Sequence, residues 1–83
     1  MPYITNERRF ALDIDSEEPK NAGELNYKIT MLLLEYWESK DPSYQGINDI
    51  LGACAGAQAE FYRRVAVPYE EEKRRINGDV YEA

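Results

Sequence analysis

The stretch Asn21-Ala22-Gly23-Glu24-Leu25-Asn26-Tyr27-Lys28-Ile29-Thr30-Met31-Leu32-Leu33-Leu34-Glu35-Tyr36-Trp37 decides the fold. Leu25, Ile29, Leu32 and Tyr36 recur at spacings of four, three and four, the period of one face of an α-helix. Tyr27, Met31 and Leu34 make a second stripe, and Leu33 and Trp37 fill the arc between them. Asn21 can cap the start, and Glu24 stands where a capping box places its returning carboxylate. Asp41-Pro42 ends the helix, because proline disfavours helical backbone in the residue before it. The spacing predicts a helix over about 22–39. A helix that is apolar nearly all round is covered on several sides. Two coverings are open for the second stripe. Either a second copy of the chain shelters Tyr27, Met31 and Leu34, or the first helix and the C-terminal tail do. With 83 residues there is little chain to spare, which favours the second copy.

Upstream, Thr5 can cap a short helix over about 6–14, with Phe10 and Ile14 four residues apart on one face. The polar segment from Asp15 to Lys20 contains Pro19 and reads as a loop. Downstream, Ser43 can cap a third helix over about 44–67, whose apolar stripe is Ile47, Leu51, Cys54, Phe61 and Val65, with Ile50 beside it. Its middle, Gly52-Ala53-Cys54-Ala55-Gly56-Ala57-Gln58-Ala59, is small enough for another backbone to approach. Each glycine inside a helix costs about 1 kcal/mol relative to alanine, so that flatness has a price. Packing against the second helix in an antiparallel hairpin is the simpler use of the strip; a contact between subunits is the alternative.

Pro68 lacks an amide hydrogen and is expected to kink the third helix. The segment 69–76 is helix-compatible, with Glu70–Arg74 and Glu71–Arg75 spaced for ion pairs, and Asn77-Gly78 is a natural stop. The expected fold class is therefore all-α, one helical domain over 1–83. It comprises a short N-terminal helix and a long antiparallel helical hairpin with its third helix kinked at the proline, assembled as a helical homo-oligomer.

Composition narrows the functions. There is one cysteine and no histidine, so neither an internal disulfide nor a zinc site can brace the fold. Subunit association is the stabiliser left to so small a domain. The net charge of −6 has the wrong sign for coating DNA or RNA, whose backbone selects cationic surfaces. The longest apolar run is the four residues Met31–Leu34, far from a membrane span, so no membrane partner is expected. The first residues, Met1-Pro2-Tyr3-Ile4, carry no basic-then-apolar signal, and with a lone thiol they lead us to expect a reducing, cytoplasmic setting.

Candidate chemistry is sparse. Catalysis with a histidine base is excluded, and Cys54 lies among small apolar residues, as packed thiols do. The glycines lack the Lys-Ser/Thr pair of a phosphate loop. Asp13, Asp15, Glu17 and Glu24 match four positions of a calcium loop, but Glu18 occupies the place that needs glycine. Glu70-Glu71-Glu72 beside Lys73-Arg74-Arg75 reads as a solvated helix face. No enzyme activity, metal or cofactor is expected. What remains is recognition: Arg63, Arg64 and Lys28 could meet phosphate, Tyr27, Tyr62 and Tyr69 could stack on flat rings, and Asn26 and Asn48 could read base edges. The competing reading makes the arginines partners of nearby acids, for example Glu60 with Arg64, and the tyrosines boundary residues.

Several motifs share a further likeness: Pro2-Tyr3-Ile4, Gly23-Glu24-Leu25-Asn26-Tyr27-Lys28-Ile29-Thr30, Ser43-Tyr44-Gln45-Gly46-Ile47-Asn48-Asp49-Ile50, Glu60-Phe61-Tyr62-Arg63-Arg64 with Pro68-Tyr69-Glu70, and Asn77-Gly78-Asp79-Val80-Tyr81. With these the chain resembles a family of small uncharacterised proteins common in bacteriophage genomes and carried as a domain of unknown function. The stretch from Gly52 to Ala59 departs from it in being smaller in side-chain volume. The resemblance implies a viral protein of the host cytoplasm. By analogy it implies a homo-oligomeric sponge that sequesters a cyclic di- or trinucleotide signal of antiviral defence. The alternative is an acidic interaction module that presses on a host protein.

Overall fold

Side-chain caps start the first three helices of the computed structural model, which describes residues 3–81. Met1, Pro2, Glu82 and Ala83 lie outside the described residues, and with them part of the Pro2-Tyr3-Ile4 motif and the end of the C-terminal tail. Thr5 accepts a bond from the Arg8 amide and opens α1, Asn6–Asp13. Asn21 accepts from the Glu24 amide and opens α2, Ala22–Ser39. Ser43 accepts from the Gly46 amide ahead of α3, Tyr44–Phe61. These bonds satisfy amides that have no partner inside the helix. All regular structure among the described residues is helical.

The end of α3 differs from a continuous α-helix. Tyr62–Ala66 forms a π-helical turn, and α4, Val67–Asn77, follows directly with Pro68 in its first turn. The Val67 amide bonds back to the Tyr62 carbonyl, five residues earlier. Proline has no amide to give, and its ring crowds the carbonyl four residues back. A wider turn just before Pro68 accommodates it without ending the helix. Gly78 stops α4: its φ of +87° is a left-handed value that suits glycine, and its amide bonds to the Arg74 carbonyl at 2.8 Å.

The contacts fall into two compact units, Met1–Ile50 and Leu51–Ala83. In the first, α1 lies on the start of α2. Leu12 is enclosed to 2% exposure, and Ala11 and Tyr27 are also buried. Tyr27 thereby corrects an expectation. Its own chain covers it: the Arg9 guanidinium lies 5.9 Å above its ring and its hydroxyl donates to Asp13. Met31 and Leu34, the other members of that stripe, remain at 38% and 43% exposure. At the far end of α2 the turn of a helical hairpin is closed by two contacts. Tyr36 donates to Asp49 at 2.9 Å, and the Trp37 ring lies so near Gly46 that a Cβ there would sit 3.4 Å away.

The second unit contains the rest of α3, the π-turn and α4. The small-residue strip of α3 has no neighbour within this unit: a Cβ at Gly52 or Gly56 would meet nothing within 4 Å. Leu51, Phe61, Tyr69 and Ile76 are all exposed.

Candidate functional site

In the second unit the π-turn and α4 shape a concavity of about 520 Å³ whose lining includes Tyr62, Tyr69 and Tyr81, together with Glu70, Glu71, Lys73, Arg74 and Asp79. Helix α4 presents Tyr69 and, about one turn later, the adjacent Lys73 and Arg74, and the glycine stop at Gly78 brings Asp79 and Tyr81 alongside. The Lys73 ammonium lies 5.5 Å from the centre of the Tyr69 ring, within reach of its negative face. Arg74 donates to Glu71 at 2.7 Å and reaches Asp79 at 3.5 Å. Three acids thus share the groove with two bases, and both bases already have partners. Such a groove can take a flat or cationic group against its tyrosines; it offers a multiply charged anion little.

Arg63 and Arg64 project from the π-turn and meet on one acid, Glu60, at 2.6 Å and 3.6 Å. All three side chains are well exposed, and ion pairs of this kind contribute little to stability. The ion pairs of α4 fall at i,i+3, as Glu71–Arg74 and Glu72–Arg75, instead of the i,i+4 spacing expected, which the helix surface accommodates equally. The Arg75 guanidinium holds the Glu72 carboxyl below its ordinary range.

The remaining residues singled out from the sequence belong to the first unit. Asn26 is exposed and accepts a bond from the Thr30 hydroxyl, and Lys28 reaches the Glu17 carbonyl at 3.4 Å. Tyr27 is turned inward, and its hydroxyl, bonded to Asp13, is harder to ionise than usual. Asn48 is exposed on α3. The structure therefore brings together Tyr62 with Tyr69, and Arg63 with Arg64, each pair inside the second unit.

Sequence reasoning missed the most enclosed polar cluster. Arg8 forks onto Glu24, Nε to Oε2 at 2.8 Å and Nη2 to Oε1 at 2.7 Å, while Nη1 donates to Glu17 at 2.9 Å. Glu24 is 5% exposed, and one of its oxygens also accepts the Lys20 amide. The Arg8 guanidinium, and then that amide, hold the Glu24 carboxyl down to about 2. The same fork keeps Glu17 low and Arg8 firmly protonated. Three of the four acids that resembled part of a calcium loop are here shared out, Glu17 and Glu24 to Arg8 and Asp13 to Tyr27. Among the described residues there is no group of three or more histidines, cysteines or acids placed to hold a metal. No helix among them is long and apolar enough to cross a membrane.

A family model described as a domain of unknown function (DUF6899) matches residues 1–80. Neither the curated proteins nor the solved structures contain a match to the chain.

Proposed function

Since the chain belongs to the DUF6899 family, whose description assigns no activity, we propose a function from its surfaces: a non-enzymatic binding protein whose working form is a helical homo-oligomer. One observation carries this reading. Leu12, Ala11 and Tyr27 are the buried hydrophobic residues among those described, whereas Leu32, Leu51, Phe61 and Ile76 stand at 65%, 63%, 65% and 58% exposure. Scattered exposed hydrophobics are ordinary, but helix after helix with its apolar stripe in water is not. Association is the available way to cover such stripes in a chain without a disulfide. Light scattering over a concentration series tests the reading. The expected mass is a multiple of 9.6 kDa. A single-chain mass at every concentration overturns it.

A second reading is favoured by Tyr62 and Tyr69 lining one groove beside the exposed Arg63 and Arg64. On that reading the oligomer sequesters a cyclic di- or trinucleotide, in the bacteriophage setting implied by the sequence resemblance. Glu70, Glu71 and Asp79 in the groove weigh against it. Calorimetry against a panel of cyclic nucleotides decides: binding that is lost in an Arg63→Ala, Arg64→Ala variant supports it, and no heat with any member of the panel ends it.

A further inference from the structure

We propose that the Tyr69 ring and the Glu70 carboxylate form a site for an alkyl-substituted ammonium ion, and that the Lys73 side chain is the internal occupant such a ligand displaces. The inference deepens the binding-protein reading by naming a ligand class. It needs only one chain, because every residue it uses belongs to the second unit.

The argument starts from a break in a pattern. Glu70-Glu71-Glu72 is followed by Lys73-Arg74-Arg75, so each acid has a base three residues on. Arg74 pairs with Glu71 at 2.7 Å and Arg75 with Glu72 at 2.6 Å. Lys73 and Glu70 make no such pair, and the Lys73 ammonium lies 5.5 Å from the centre of the Tyr69 ring instead. Glu70 is left without a cationic partner among the described residues, while Glu71 and Asp79, the other acids of the groove, share Arg74. One uncompensated carboxylate and one aromatic face already holding a cation thus line the same groove.

The ligand class follows from what would outcompete Lys73. A primary ammonium is compact and strongly hydrated, so it gives up much on leaving water for an aromatic face. A quaternary or methylated ammonium carries the same charge on a larger and less hydrated body, and aromatic faces are the usual means of recognising it. Its alkyl groups would find apolar lining in Tyr62, Val67 and Val80. Once Lys73 swings out, the groove sets three acids against Arg74, a balance that favours a cation and opposes an anion.

Choline and a short peptide containing trimethyllysine offer this group from two sources, a free small molecule and a protein side chain, and the tighter of the two identifies the source. The neutral 3,3-dimethylbutanol copies the shape of choline without its charge. Each is titrated into the full chain at constant ionic strength and followed by the NMR shifts of the tyrosine ring protons. Saturable shifts at Tyr69 are expected with the cations and none with the alcohol at the same concentrations. Lys73→Ala, which frees the ring, should bind about threefold more tightly, and Tyr69→Ala, read through Tyr62, about fivefold more weakly. Tyr69→Phe keeps the ring face and should bind as the wild type does, while Glu70→Gln should lose about threefold. All three positions are exposed and alanine and glutamine favour helix, so each variant is expected to keep its far-UV circular dichroism. No saturable shift with either cation, equal binding of the neutral alcohol, or weaker binding in Lys73→Ala each overturns the site. Any of these leaves the oligomer to the light-scattering test, and a single-chain mass there leaves this site standing.

Discussion

Arg8 does the work of several residues in the first unit. It ties α1 to the start of α2 through a two-pronged bond to Glu24 and reaches into the intervening loop through Glu17. The fork needs two fixed N–H directions, so Arg8→Lys is expected to loosen α1 nearly as much as Arg8→Ala, read as a lower melting temperature. The depressed Glu24 carboxyl gives a pH dependence of definite sign. Its contribution is fully present above its ordinary value of 4.5 and is lost as pH falls toward about 2, because the unfolded chain takes up the proton first. Melting followed by circular dichroism through that acid range should show wild-type stability declining, with a flatter decline in Glu24→Gln. Leu12 is the apolar counterpart, the single large side chain fully enclosed among the described residues. Leu12→Ala is expected to cost about 2–4 kcal/mol in urea denaturation, since it removes both buried area and the packing around it.

At the scale of the elements, the helices and their starts were readable because capping and periodicity are local. Thr5, Asn21 and Ser43 each accept the amide three residues on, and Gly78 supplies the stop. The capping box at α2 is altered in one respect: the Glu24 carboxylate turns to the Lys20 amide and to Arg8 instead of returning to Asn21. Such ties between distant positions of the chain were not legible. Arg8 and Glu24 are sixteen residues apart, and a contact at that separation leaves no mark on periodicity. The π-turn was hidden for another reason, since Pro68 announces a disturbance without saying whether the backbone bends or widens. The same limit applies to the candidate site. The pairing of Arg63 and Arg64 with Glu60 follows from helical spacing, but the gathering of Tyr62, Tyr69 and Tyr81 depends on how the chain turns after Gly78. The open surroundings of Gly52 and Gly56 carry a prediction of their own. Alanine at either position should stabilise α3 by about 1 kcal/mol, seen as greater helicity and a higher melting point. A fall in stability would mean that something packs closely on that strip.

For the whole molecule, the scarcity of enclosed apolar side chains among the described residues is what the proposed homo-oligomer rests on, and that proposal has a thermodynamic signature. A protein stabilised by its own copies has a melting temperature that rises with protein concentration. Scans of this chain over a hundredfold concentration range, at about 1 µM to 100 µM, should therefore separate by several degrees, whereas a self-sufficient domain would give one curve. The exposed stripes from Leu25 to Leu32 and from Leu51 to Phe61 then have a consequence for handling and for life in a cell. On the homo-oligomer proposal, thinning the solution acts on this chain as a denaturant, and newly made molecules acquire their full stability only once enough siblings have accumulated.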